Sequence, residues 1–312
     1  MALMKAAVLG ASGIGRFHIQ WLHKLGVEVV AFLGSSEASV KLTAEKLAAS
    51  TGFAGRGYWV LDELLAREEP DFVLISTPNH LHYRHTLRCL DAGAHVLCEK
   101  PMVWDARLTD AELVRQAEEM VERARRAGKL FALTTQYMAL APEFLRIYTK
   151  VRGGPPRFER YSAVLTSKLK PGVPTGHEIW VDLSPHLLSF LIALRPDDPW
   201  VPLAYEGDEM SRTGRFRYGQ CACQIRVAKV LDGALERWFE IDGFRIEHGG
   251  KADETGEFRT FLKYPGGEET IPDVMKLSIE RFLRAVRGEG TPFCTDALAL
   301  KNLRMMLQVG GR

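Results

Sequence analysis

The chain has 312 residues, 46% hydrophobic and 26% charged, with 41 lysines and arginines against 39 aspartates and glutamates. This length exceeds what one hydrophobic core usually supports, so two domains are expected. The net charge of +2 excludes the strong field that gathers nucleic acid or an anionic membrane surface.

The cysteines and histidines indicate neither disulfides nor metal. Five cysteines form an odd set without a CxxC pair, and the histidines outside the motifs below show no shared ligand spacing, so no metal site is predicted. A strand follows almost at once on the amino terminus, and no apolar run approaches the ~20 residues of a membrane span. We therefore expect a cytoplasmic protein that binds no membrane.

The first part of the chain alternates predicted strands with predicted helices. The strands are expected at 5–9, 27–33, 72–76, 95–98 and 130–134, and the helices at 17–25, 40–49, 81–92 and 106–127. Such alternation implies right-handed βαβ crossovers and a doubly wound parallel sheet, here over residues 1–134.

Beyond residue 134 the pattern changes to long strands. These are predicted at 158–169, 215–230, 235–247 and 257–264, with helices at 181–194, 274–286 and 295–309. Residues 135–312 are therefore expected to form an α+β domain with an open, mostly antiparallel sheet, which makes the whole chain an α/β protein.

A glycine turn links the first strand to the first helix. Gly10 permits the tight turn and Gly15 the close packing of strand and helix, while the amides at the helix start would meet a pyrophosphate. The alternative is a turn that only connects the two elements. The predicted cofactor-binding residues here are Gly10, Ser12, Gly13, Ile14 and Gly15.

The end of the second strand carries hydroxyls where NAD-preferring sites usually carry a carboxylate. Ser35, Ser36 and Lys41 are candidates for binding a 2′-phosphate, which favours NADP over NAD as the cofactor. Alternatively, the two serines only cap the following helix, as serine often does.

Two further motifs follow strand ends, the edge of an open α/β sheet at which ligands bind. The first is Thr77-Pro78-Asn79 with His82, and the second is Glu99-Lys100-Pro101. Taken alone, the second would also fit a surface ion pair beside a turn proline.

These motifs, with Asp182 and His186, resemble the glucose-fructose oxidoreductase and inositol dehydrogenase family, known as Gfo/Idh/MocA. The resemblance covers nearly the whole chain, and Glu99-Lys100-Pro101 is its most specific mark. It implies a Rossmann domain, a second domain with an open sheet, a catalytic cleft between them, and a homodimer or homotetramer. It also implies that Thr77, Pro78, Asn79, His82, Glu99 and Lys100 serve the cofactor, and that the Lys100–Pro101 peptide bond is cis.

Asp182 and His186 lie four residues apart, so on a helix they project from one face. By spacing alone this is more often a local pair, and the matching family positions imply a catalytic role. An imidazole can take a hydroxyl proton near neutral pH. His186 is thus the predicted base, Lys100 the donor to the same oxygen, and Asp182 the residue that orients the substrate, while Glu99 positions Lys100.

The sequence departs from the family pattern near the substrate. Gln136-Tyr137-Met138 stands where many relatives carry an arginine, and Gly176 to Trp180 replaces a glycine-rich stretch. These residues either line the pocket or pack as loop residues. The predicted substrate-binding residues are Lys100, Gln136, Tyr137, His177, Trp180, Asp182 and His186.

The expected function is hydride transfer between nicotinamide and a secondary alcohol or carbonyl of a sugar, cyclitol or related small polar molecule. One alternative is a non-catalytic protein that senses the dinucleotide. Another is an NADPH-dependent reductase of a conjugated or imine substrate, in which His186 would be dispensable.

Overall fold

The computed structural model describes residues 3–170, 172 and 175–311. They group into two compact units, the first made of the described residues up to Thr134 with Ser278–Leu300, and the second of those within Thr135–Leu277 and from Lys301 onward. The sequence predicts one boundary, after residue 134, and assigns everything beyond it to the second domain. In the structure the segment 278–300 instead groups with the first unit, where Phe282 packs edge-on against Phe72, 5.5 Å between ring centroids.

The first unit is built on a six-stranded parallel sheet, in the order β3-β2-β1-β4-β5-β6. The predicted doubly wound sheet is therefore confirmed. Its strands are β1 (Lys5–Leu9), β2 (Glu28–Leu33), β3 (Arg56–Tyr58), β4 (Phe72–Ile75), β5 (His95–Glu99) and β6 (Phe131–Thr134), and its helices are α1 (Ile14–Lys24), α2 (Glu37–Thr51), α3 (Leu61–Glu68), α4 (His82–Asp91) and α5 (Asp110–Ala127).

The second unit is built on an eight-stranded sheet, in the order β14-β13-β12-β11-β7-β10-β9-β8. Neighbouring strands are antiparallel except β7 and β10, which confirms the predicted mostly antiparallel sheet. Its strands are β7 (Arg160–Lys168), β8 (Trp200–Gly207), β9 (Ser211–Tyr218), β10 (Cys221–Val230), β11 (Arg237–Ile241), β12 (Phe244–Ala252), β13 (Phe258–Tyr264) and β14 (Gly267–Pro272), with helices α6 (Ala141–Arg152) and α7 (His177–Leu194). The last two helices of the chain are α8 (Val274–Val286) and α9 (Asp296–Gly310).

Two of the long predicted strands are wrong, because each is a hairpin. The predicted strand 215–230 divides into β9 and β10 around Gly219 at φ 56°, and the predicted strand 235–247 into β11 and β12 around Asp242 and Gly243 at φ 49° and 75°. Positive φ values of this kind suit tight hairpin turns. The apolar alternation continues on both sides of each turn, so the hydrophobic pattern alone does not indicate that a turn is present.

Other elements were displaced or missed. The helix predicted from residue 106 begins at Asp110, because Thr109 and Glu112 form a reciprocal capping box at its start. The sequence reasoning missed α3, α6 and the short or edge strands β3, β8 and β14. Among the described residues, none of the helices combines the length and the apolar character that a bilayer-spanning segment needs.

Candidate active site

The glycine turn lies where the strand order of the first sheet reverses. From β1 the chain builds outward through β2 and β3, and then returns to place β4 on the other side of β1. Ligands of open α/β sheets bind at such switch points, outside the carboxyl ends of the strands. Gly10 has φ 88°, and a Cβ atom there would lie 2.6 Å from the Ser76 carbonyl oxygen, whereas one on Gly15 would collide with the carbonyl oxygen of Gly10. Both glycines are therefore required by the backbone itself.

The first turn of α1 is open to a ligand. Ser12, Gly13 and Ile14 are exposed, and within the described part of the chain no side chain caps this helix. A Cβ atom on Gly13 would meet nothing within 4 Å. Amides at an uncapped helix start, where the dipole favours negative charge, fit the pyrophosphate of a dinucleotide.

The serines after β2 have a structural role. Ser36 caps α2, its hydroxyl accepting a hydrogen bond from the amide of Ser39 at 3.2 Å, and the hydroxyl of Ser35 lies 3.2 Å from that of Ser39. This is the capping alternative raised by the sequence. Ser35, Ser36 and Lys41 are nevertheless exposed, so they remain accessible to a ligand.

His82 is a buried residue that supports the backbone of the site, and it is not an exposed residue that a cofactor could contact. It has no exposed surface, and its ring nitrogens lie 2.9 Å from the Pro101 carbonyl and 2.8 Å from the Thr77 carbonyl. Burial lowers the pKa of His82, an effect that the two carbonyl groups facing its ring oppose. The expectation of direct cofactor contact is thus corrected. His82 joins the two strand-end motifs, of which Thr77, Pro78 and Asn79 stay partly or fully exposed.

Glu99 is buried, and His18 and Thr134 are among its side-chain partners. Its carboxylate lies 2.7 Å from Nε2 of His18 and accepts a hydrogen bond from the Thr134 hydroxyl at 3.3 Å. The backbone amide of Lys100 also donates to it, at 3.3 Å. The Lys100–Pro101 peptide bond is cis, as the resemblance implies. Glu99 therefore anchors the backbone of Lys100, whose side chain is half-buried, and sequence reasoning missed His18 because it lies 81 residues away.

Asp182 and His186 form the accessible stripe of α7. Every residue from Ile179 to Ile192 is buried except these two. The rest of this stretch packs against its own unit. One carboxylate and one imidazole that stay accessible on the same face therefore mark a candidate ligand site. The predicted pair is thus brought together on one accessible face.

Lys229, on β10, was missed by the sequence reasoning. Its ammonium group donates to Oδ2 of Asp182 at 2.7 Å, with only 4% of the lysine side chain exposed against 35% of the aspartate side chain. A lysine this buried is rare unless paired. The only signal in the sequence is a lysine amid the apolar run Val227-Ala228-Lys229-Val230, at an inward strand position.

The carbonyl of Thr135 determines which nitrogen of His186 acts as a base. Nδ1 of His186 lies 2.7 Å from this carbonyl oxygen, which can only accept, so Nδ1 carries the hydrogen and Nε2 is the basic nitrogen. Gln136, at φ 51° and ψ −45°, forms a tight γ-turn in which the Tyr137 amide donates to the same carbonyl. Tyr137 is buried, and its ring centroid lies 4.9 Å from that of His186, so it packs against the histidine ring.

Two predicted substrate-binding residues behave differently from one another. Trp180 is completely buried, and its indole donates to the Met306 carbonyl at 2.9 Å, so the expectation that it lines the pocket is corrected: it is a core residue. His177 is half-buried, and its Nδ1 lies 3.0 Å from the hydroxyl of Tyr205. His177 therefore lies partly accessible at the start of α7, with Tyr205 as a partner.

Comparison with known proteins identifies the class of protein to which the chain belongs. Residues 4–135 match the family described as "Oxidoreductase family, NAD-binding Rossmann fold" under the name GFO_IDH_MocA. The chain is 38% identical over 320 residues to the 1,5-anhydro-D-fructose reductase of Ensifer adhaerens, covering 92% of this chain and 90% of that protein. The chain belongs to the Gfo/Idh/MocA family of NAD(P)-dependent oxidoreductases, which confirms the predicted family.

Two more similarities differ in extent. The chain is 32% identical over 146 residues to D-glucoside 3-dehydrogenase of Escherichia coli, but this match spans only 43% of the chain and 38% of that enzyme. A solved 3-ketoreductase from Actinomadura kijaniata, in complex with NADP and TDP-benzene, superposes with a TM-score of 0.73 at 19% identity, covering 98% of this chain and 96% of that one. At that identity the second similarity shows the fold alone.

Proposed function

We propose that the protein transfers a hydride between NADP and a secondary alcohol or carbonyl of a sugar, cyclitol or related small polar molecule. The observation that carries the proposal is the accessible stripe of α7, where Asp182 and His186 alone emerge from a helix otherwise buried from Ile179 to Ile192. The names of the relatives, a sugar-derivative reductase and a glucoside dehydrogenase, support the same substrate class.

Each of the three residues has a distinct task in this chemistry. His186, with hydrogen on Nδ1, takes the hydroxyl proton at Nε2 during oxidation and returns it during reduction. Lys100 donates to the same oxygen and stabilises its developing negative charge. Asp182, held by Lys229, accepts hydrogen bonds from the substrate and orients it. The nicotinamide, when bound, supplies or accepts the hydride.

The preference for NADP rests on the region after β2. Ser35, Ser36 and Lys41 are exposed at the start of α2, and none of them carries a negative charge that would repel a 2′-phosphate. The helix start at Ser12, Gly13 and Ile14 would hold the pyrophosphate. The solved 3-ketoreductase with NADP supports this choice only through its shared fold.

The cofactor proposal is tested by titrating the protein with NADPH and NADH in parallel, following nicotinamide fluorescence. We expect tighter binding of NADPH, and Lys41→Ala to weaken NADPH about 10-fold, the loss of one charge-assisted contact, with no effect on NADH. Lys46→Ala, an exposed lysine on the same helix, is the matched control. A wild-type preference for NADH would reject NADP as the cofactor.

The chemical proposal is tested by screening sugars and cyclitols for turnover and then substituting Lys100. We expect Lys100→Met to lower kcat by about 100-fold or more, because donation to the reacting oxygen is lost, while NADPH still binds. NADPH binding by the wild-type protein without turnover of any sugar or cyclitol would favour the dinucleotide-sensing alternative. Turnover that survives both Lys100→Met and His186→Asn would favour reduction of a conjugated or imine substrate.

The assembly and location of the protein stay predictions. The edge strand β8 exposes Val201 and Leu203, at 56% and 64%, which supports a homodimer or homotetramer formed through this sheet. A cytoplasmic location and the absence of nucleic-acid partners rest on the cysteine usage and net charge described above.

A further inference from the structure

Arg237 occupies a position where the fold calls for an apolar side chain. Residues 237, 239 and 241 of β11 alternate onto one face of the sheet. On this face Phe239 stacks on Phe190 of α7, with ring centroids 4.0 Å apart, and Ile241 is completely buried. Arg237 is half-buried on the same helix-covered face.

The guanidinium of Arg237 has no acidic partner among the described residues. The neighbouring acids pair elsewhere, Glu236 with Arg226 and Glu240 with Arg245. Nε of Arg237 is buried and has no hydrogen-bond acceptor within the described ranges. Burying part of a cation without a partner costs free energy, so the position of Arg237 points to an anionic partner from outside the chain.

Arg237 adjoins the residues that surround His186. Trp238 pairs with Glu247 across the β11–β12 ladder, which places Arg237 beside His248. The ring centroid of His248 lies 4.8 Å from that of Tyr137, and that of Tyr137 lies 4.9 Å from that of His186. Burial raises the pKa of Tyr137, and the positive charge of Arg237 acts against that rise. At His248 burial lowers the pKa, and the charge of Arg237 lowers it further, as expected of a close neighbour.

The charges on this face do not balance. Lys229 and Asp182 neutralise each other, and His248 is neutral because burial, with smaller contributions from Arg237 and His186, lowers its pKa to about 3. Among these described side chains, Arg237 leaves one uncompensated positive charge. An arginine fork is suited to bidentate recognition of a carboxylate or a phosphate.

We propose that Arg237 binds an anionic group of the substrate, a carboxylate or phosphate, so that the enzyme acts on acidic rather than neutral carbohydrates. The inference rests on the proposed function, since it assigns a substrate class to the same site. It also assigns the specificity to a residue of β11, outside the motifs that mark the family in the sequence.

Calorimetric titration of the full-length protein with three probes tests the proposal. D-glucuronate carries a carboxylate, D-glucose 6-phosphate a phosphate, and D-glucose neither. We expect at least one of the two anions to bind about 10-fold more tightly than D-glucose, the equivalent of one charge-assisted hydrogen bond. In Arg237→Met this ratio falls to about one. Arg245→Met is the matched control and should keep the ratio, because that arginine lies over Trp238 and pairs with Glu240.

Equal affinity for the three probes, including no measurable binding of any of them, overturns the proposal, and so does a ratio that survives Arg237→Met. A melting temperature lower for Arg237→Met than for Arg245→Met also overturns it, because the guanidinium would then support the fold. Binding is measured without turnover, so the two proposals fail separately: an Arg237-dependent anion preference without hydride transfer rejects only the proposed function. Hydride transfer without the preference rejects only the anion site.

Discussion

The hydrogen bond between His186 and the Thr135 carbonyl sets the chemistry at the scale of single residues. It fixes the hydrogen on Nδ1, so that Nε2 is the basic nitrogen. The same carbonyl accepts from the Tyr137 amide because Gln136 adopts φ 51°, an unfavourable value for a residue with a side chain. Backbone strain of this kind is typical of functional sites, and here it orients the Thr135 carbonyl toward the imidazole of His186.

His248 gives a residue-scale prediction of pH-dependent stability. It is buried, stacks on Phe239, and has its pKa lowered from 6.5 to about 3, chiefly by burial. The unfolded chain therefore takes up the proton first as the pH falls. The stability contributed by the neutral ring is complete above about pH 6.5 and is lost progressively toward about pH 3.

We expect His248→Phe, which keeps an aromatic ring but cannot titrate, to reduce the loss of unfolding free energy between about pH 7 and about pH 4 by on the order of 2 kcal/mol. Denaturant unfolding at the two pH values measures it. His80→Gln, which removes an exposed imidazole, should leave the loss unchanged. Identical pH profiles for wild-type protein and His248→Phe would contradict a neutral buried His248.

At the scale of elements, α7 and β10 act together. The helix buries nearly all its surface and leaves Asp182 and His186 accessible, while the strand beneath it provides Lys229 as the counter-charge of Asp182. Pro185 lies within the helix and has no amide hydrogen to donate. Its carbonyl accepts a hydrogen bond from the side-chain amide of Asn302 at 2.9 Å. The site is thus supported by elements far apart in sequence.

The ion pair predicts a coupled effect on activity. We expect Lys229→Met to lower kcat/KM by about 10-fold or more, because Asp182 loses the ammonium that holds it, and Asp182→Asn to lower it at least as much. In the double variant the two losses should not multiply, since Lys229 acts through Asp182.

A double-mutant cycle on kcat/KM measures this coupling, and thermal unfolding of the same variants shows which of the losses come from instability. Lys229→Arg keeps the charge and should retain more activity than Lys229→Met. Losses that multiply in the double variant would mean that Lys229 serves the reaction independently of Asp182.

At the scale of the whole molecule, the first unit is not a continuous segment. Ser278–Leu300 joins it through the contact of Phe282 with Phe72, and through the Cys294 carbonyl, which accepts from the amide of Leu133 at 3.1 Å beside β6. No local pattern in residues 274–309 distinguishes helices of one unit from helices of the other. The sequence could predict those helices but not the unit to which their residues belong.

The sequence by itself determined the glycine turn, the alternation of the first sheet, Glu99-Lys100-Pro101, and the spacing of Asp182 and His186. These are local signals, because glycines at forced backbone positions and residues one helical turn apart are constrained by their near neighbours. Only the tertiary structure decided that His82 and Trp180 are buried, that His18 holds Glu99, that Lys229 pairs with Asp182, and that Arg237 has no acidic partner in the part of the chain that the structure describes. Most of these depend on contacts between residues tens to more than a hundred positions apart, which only the packing of helices and sheets brings together.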